Sequence, residues 1–184
     1  MSLRKLPGEL AWGVLRLAKP YLEQVRRVAE EAGPDGAMKW VKERPPADVS
    51  ASVTKLIEEI LRRYGFSSAT NIIMPMPNTK DKIFALSNNI YSVHSGRYVV
   101  LNIFIVMPME RMDDASIDVF MEDHGEGKLY RYTIWPYSNV RFEEKVPIGK
   151  AKQYIHNYIN STIYPKHSGA EVEQRKNTRR KRRV

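Results

Sequence analysis

The apolar residues of this chain change their spacing twice, and that double switch restricts the fold more than any other feature. From residue 8 to about 64 they recur at helical intervals. From about 69 to 146 they come in short runs of alternating or continuous character, and from 148 to 163 the helical interval returns. Helices, then a block of strands, then one helix is the order expected of an α+β fold, with a mainly antiparallel sheet flanked by N-terminal helices and one C-terminal helix.

Leu10, Val14, Leu17, Ala18, Tyr21, Val25 and Val28 form the apolar stripe of an expected helix over 8–31. Pro20 lies inside it and predicts a kink or a division into two short helices. Gly33-Pro34 ends that segment, a short helical stretch follows from Asp35 to Lys42, and Pro45-Pro46 breaks the chain again. The next helix is expected near 48–64, capped by Asp48 or Ser50 and ended by Gly65. Its buried stripe is Val53, Leu56, Ile57, Ile60 and Leu61. The expected organisation is an N-terminal helical segment (1–46), an α+β core (47–165) and a basic tail (166–184).

Within the strand block, the apolar runs are Ile72–Met74, Ile83–Leu86, Tyr91–Val93, Tyr98–Met107, Ile117–Met121 and Leu129–Trp135. Asn88-Asn89, Ser95-Gly96 and the stretch Asp123–Gly127 are the expected reversals. Tyr98–Met107 is apolar on both alternating sets of positions, which predicts a central strand covered on both faces.

Charge is where function enters. The chain carries a net +9, and residues 175–184 hold Arg175, Lys176, Arg179, Arg180, Lys181, Arg182 and Arg183 with no acid. Seven of the nine net charges therefore sit in ten residues, which leaves two for the other 174. The high isoelectric point belongs to an arm, not to a basic domain surface. With no aliphatic residue before Val184, such an arm is expected to be disordered when free. Its expected use is to grip the phosphates of DNA or RNA, each neutralised phosphate releasing a condensed counterion. Five of the seven cations are Arg, whose fork suits bidentate phosphate contacts. Phosphate contacts carry no base information, so little sequence specificity is expected. Arg16, Lys19, Arg26 and Arg27 offer a secondary basic surface as an alternative, but the preferred expectation is a solvated helix face with Glu23 and Glu30 as local partners.

Other motifs fail on spacing. Glu110, Asp113, Asp114, Asp118, Glu122, Asp123 and Glu126 face a single Arg111, but lack the ligand pattern of a calcium loop. That stretch is read first as a charged hairpin, then as a docking place for a basic arm. Gly125-Glu126-Gly127-Lys128 lacks the glycine spacing of a phosphate loop and reads as a turn. His94, His124, His156 and His167 form no metal-binding pair, and no cysteine is present. Tyr130, Tyr132, Trp135 and Tyr137 suggest a base-stacking strand, but packing in a core is the preferred reading.

No catalytic residue, cofactor or metal is assigned. The expected function is a non-enzymatic nucleic-acid-binding or packaging protein. The alternatives are an assembly subunit of a virion or ribonucleoprotein, acting through protein contacts, and an enzyme with an unsignposted site. A homo-oligomer fits either of the first two readings. The lack of a long apolar run, of a signal-like N-terminus and of cysteine leads to an expectation of no membrane association and an intracellular setting: cytoplasmic, nucleoid-associated or within a virion.

Overall fold

The computed structural model describes residues 2–66, 69–94 and 96–165. Two N-terminal helices, α1 (Leu6–Glu43) and α2 (Ala47–Arg63), precede six strands. These are β1 (Ala69–Asn78), β2 (Ile83–His94), β3 (Arg97–Pro108), β4 (Ser116–Asp123), β5 (Lys128–Trp135) and β6 (Val140–Pro147), followed by α3 (Ala151–Thr162). The strands form one antiparallel sheet in the order β1-β2-β3-β4-β5-β6, each paired with its neighbours in sequence. The chain is α+β, with helices on both sides of the sheet.

Side-chain alternation sorts the sheet into two faces. Phe84, Leu86, Ile90, Leu101, Ile103, Ile105, Val119, Met121 and Ile134 share one core with Leu6, Leu10, Val14 and Leu22 of α1 and with Val53, Ile57 and Leu61 of α2. The opposite face carries Ile83, Ala85, Phe104, Val106, Phe120, Leu129 and Val146 against Ala151, Tyr158 and Ile163 of the α3 region. The molecule is thus three layers: helix pair, sheet, single helix. Each fully buried Leu or Ile contributes about 1.5–3 kcal/mol.

Two contacts fix how α1 lies. The Trp12 indole N–H donates to the Tyr132 hydroxyl at 2.9 Å, tying α1 to β5. Gly13 lets α2 approach closely, since a Cβ there would stand 2.6 Å from a Leu56 methyl carbon.

Local differences from the sequence expectation have identifiable causes. Pro20 sits inside α1 without a torsional break; the non-helical residue is Gly33, at φ 74° and ψ 175°, a conformation glycine adopts without a Cβ penalty. Asn88-Asn89 is not a turn but the middle of β2, which joins two expected runs into one strand. Asn88 is buried on the helix-pair side, and Asn89 donates to Asn102 on β3 at 3.1 Å, so cross-strand partners accommodate residues that usually mark turns. β6 shows no alternation in sequence because every position except Val146 is exposed. β1 extends past its expected run through Pro75 and Pro77. Two prolines at strand spacing point their nitrogens to the same side, which an edge strand tolerates.

The expectation for β3 holds for half its length. From Ile103 to Pro108 it is buried throughout, whereas Val100 and Asn102 are half-exposed on the α3 side. The α3 layer covers only part of that face.

Among the described residues, no helix is long and apolar enough to cross a membrane.

Candidate functional site

The seven cations of the arm, Arg175 to Arg183, lie outside the described residues, which end at Pro165. After α3, Ile163 is fully buried against the sheet. Its carbonyl accepts a hydrogen bond from the Asn78 side-chain amide at 2.8 Å. The Asn78 amide oxygen in turn accepts the backbone N–H of Asp81 at 3.1 Å, so the β1–β2 turn and the end of α3 are locked together. The last described residues therefore lie on the α3 face, beside the edge strand β1.

The secondary basic set divides. Lys19 and Arg26, two helical turns apart on α1, line a cleft of about 520 Å³ with Trp12, Glu23 and Tyr137, and β6 supplies Arg141 from across it. Arg16 and Arg27 do not line this cleft and are exposed. Arg26 is committed internally: its Nη2 is 2.6 Å from Asp113, and its guanidinium lies 4.4 Å from the centre of the Tyr137 ring. Arg141 had no signal in sequence, because β6 itself had none.

The acidic stretch 110–126 is engaged by the body's own groups. Glu110 is 3.5 Å from Lys82, Asp113 pairs with Arg26, Asp114 is 3.7 Å from Arg111, and Glu122 is 3.5 Å from His124. Asp123 is fully buried and receives Arg97 Nε at 2.9 Å, together with the N–H groups of Gly125 and Glu126 at 3.0 and 3.2 Å. Burial pushes the Asp123 carboxyl up, but Arg97 and the two backbone donors outweigh that and hold it below the usual carboxylate range. Stretch 110–126 is a set of local ties rather than a continuous acidic face.

Asp118 stands inside the interface between the sheet and α3. Ser116 and Thr133 donate to it at 2.6 and 2.8 Å, and Arg131 approaches to 3.7 Å. Burial raises its pKa despite these partners. Arg131 is itself packed among the Phe120, Phe142, Tyr154 and Tyr158 rings. With Asp118 closed off from solvent, this cluster is an internal ion pair of the core.

The aromatic strand behaves as packing. Tyr132 is buried under α1, and Tyr137 lies under Arg26. Tyr130 donates to Glu126, and that bond, with burial, pushes its hydroxyl up to about 12.

A different aromatic group stands on the open part of the α3 face. Tyr98 of β3 stacks on His124 with ring centres 4.1 Å apart and planes 16° from parallel, and Tyr91 of β2 lies 5.5 Å from Tyr98. Tyr91 is 47% exposed. The three rings cross adjacent strands in one row, and the Asn89–Asn102 amide pair lies on the same face, farther along β2 and β3. The sequence signal for this row was the alternation Asn89-Tyr91-Val93, hidden by reading Asn88-Asn89 as a turn.

Among the described residues, no group of three or more His, Asp or Glu side chains is placed to hold a metal ion. Comparison of the chain with protein-family models, with curated proteins and with solved structures found no match.

Proposed function

We propose that this chain is a non-enzymatic nucleic-acid-binding or packaging protein that grips the phosphate backbone through its Arg-rich C-terminal arm. The observation that carries this reading is a mismatch of charge. Ten residues hold seven cations, and four of the acids of 110–126 that would compete for them, Glu110, Asp113, Asp114 and Asp123, are paired with Lys82, Arg26, Arg111 and Arg97. An arm of that density has its natural counterpart in a polyanion outside the chain. Readout of base sequence is not part of the reading.

A salt titration tests it. The full chain and a chain lacking 175–184 are titrated on one mixed-sequence oligonucleotide. If all seven cations meet phosphates, deletion flattens the slope of log affinity against log salt by about 6 on duplex and about 5 on a single strand. Equal slopes and equal affinities overturn the arm as the grip.

A second reading, an assembly subunit working through protein contacts, draws on the exposure of Ile72 and Met74 on β1 and Val93 on β2. An oligomer that survives high salt and nuclease treatment favours it.

A further inference from the structure

We propose that the cleft between α1 and β6 is a binding site for a small organic monoanion with a flat apolar body, its charged end held by Lys19 and Arg141. This site goes beyond the nucleic-acid reading and does not depend on it.

The cleft follows from how the sheet is covered. α1 packs chiefly over β4 and β5, so the same side of the edge strand β6 is left open, Arg141 and Glu143 included. Trp12, Leu15, Lys19, Glu23 and Arg26 recur every three or four residues and therefore share one side of α1, the side that lines the cleft. Arg141 stands opposite Ile134 in the β5–β6 register, and Ile134 belongs to the core under α1. Directly opposite residues share a face of the sheet, so Arg141 points to the α1 side and meets Lys19 from the other wall. The volume of about 520 Å³ suits a small organic molecule rather than a single ion.

The lining has an apolar and a charged part. Leu15 and Ile134 are buried beneath it, whereas Trp12 and Val140 are 45% and 51% exposed. Trp12 is held in place: its indole N–H is taken by Tyr132, and Gly13 beside it lies against Leu56. A large ring fixed in position and left in water is a contact surface prepared in advance, and covering it costs little conformational entropy.

The charged part sets the sign and the number of charges on the ligand. Arg26 is neutralised by Asp113. Among the described residues, Lys19, Arg141 and Glu23 are in no ion pair. Two cations against one carboxylate leave a single positive charge in the lining. A carboxylate or sulfonate between Lys19 and Arg141 gains charge-assisted hydrogen bonds from both walls. The second charge of a phosphate monoester would meet Glu23 instead. A nucleic-acid strand repeats its charge along its length and calls for a track of cations, which this single cleft does not supply.

The test titrates the full chain with anilinonaphthalene sulfonate, a fluorescent aromatic monoanion, and with its neutral relative N-phenylnaphthylamine. Lys19→Gln combined with Arg141→Gln is expected to weaken sulfonate binding about tenfold. Binding of the neutral probe should change by no more than about twofold, since it loses no ionic contact. Val140→Glu places a carboxylate on the exposed wall and should weaken the sulfonate alone. All three positions are exposed, so thermal midpoints should stay at the wild-type value. Naphthoate should displace the sulfonate at least as well as naphthyl phosphate does. No saturable sulfonate binding by the wild-type chain overturns the site. Sulfonate binding that is unchanged in both variants places the probe elsewhere on the chain and overturns it too. Equal loss of both probes shows that the cations only shape the cleft, and stronger displacement by the phosphate overturns the monoanion. Displacement of the neutral probe by a mixed-sequence oligonucleotide, but not by naphthoate, would make the cleft part of a nucleic-acid surface and overturn the small-molecule site.

Discussion

Asp118 and Arg131 stand diagonally on β4 and β5 with Oδ1 and Nη2 3.7 Å apart, beneath a helix that shields Asp118 almost completely. A buried pair of this kind is costly to break from one side, because the remaining charge keeps its desolvation penalty.

Arg131→Met, which keeps an unbranched apolar stem and removes the guanidinium, should cost about 3 kcal/mol near neutral pH. Burial already raises the Asp118 pKa, so Asp118 contributes stability that is present below the ordinary carboxylate range and lost as pH rises through its folded value. Without Arg131 that folded value rises further, so the cost of the substitution should shrink as the solution is acidified. Urea unfolding of wild type and variant near neutral pH and in mild acid measures this; equal cost at both would show that Asp118 is not the source.

Asp123 should behave in the opposite sense. Its carboxyl is held below the usual range, so its contribution is present above that range and is lost as pH falls through the depressed folded value. Asp123→Ala removes the carboxylate that accepts from Arg97 and from the Gly125 and Glu126 N–H groups and should cost about 2–3 kcal/mol near neutral pH. Gly125→Ala attacks the same tie from the other side, since a Cβ there would stand 2.6 Å from Arg97 side-chain atoms. Denaturant midpoints of the two variants across the acid range test the pair.

Arg26→Ala should lower the thermal midpoint and leave the salt dependence of nucleic-acid binding unchanged. Its guanidinium is committed to Asp113 and the Tyr137 ring rather than presented to a phosphate. A flatter salt slope with an unchanged midpoint would return Arg26 to the binding surface.

Single Arg→Ala changes at Arg175, Arg179, Arg180, Arg182 and Arg183 should each lower duplex affinity slightly and by similar amounts. The salt slope should fall by about 0.9 for each phosphate that is no longer neutralised. One substitution carrying most of the loss would indicate a specific pocket.

The class of fold was legible because periodicity survives averaging. The helix expected near 48–64 occupies Ala47–Arg63, and the strand block expected over about 69–146 occupies 69–147. What escaped was set by partners distant in sequence. Asn88 and Asn89 look like a turn until Asn71, diagonal to Asn88, and Asn102, opposite Asn89, supply their partners. The run Arg141–Lys145 lacks an apolar strand signal because β6 lies at an edge with little to bury. Of the candidate site, the cations of the arm were readable from composition alone. The Tyr91–Tyr98–His124 row was not, since it exists only once β2 is continuous and α3 stops short of it.

The neighbour-only pairing of the six strands has a kinetic consequence. Every strand pairing is made across one turn or short connection, so the sheet can grow hairpin by hairpin with little loop-closure entropy at each step. The Trp12–Tyr132 hydrogen bond is different: it joins residues 120 apart in sequence. Docking of α1 is then the high-contact-order event of folding. Substitutions at Trp12 should chiefly speed unfolding, while substitutions at the β3–β4 centre, such as Ile103→Val, should slow folding.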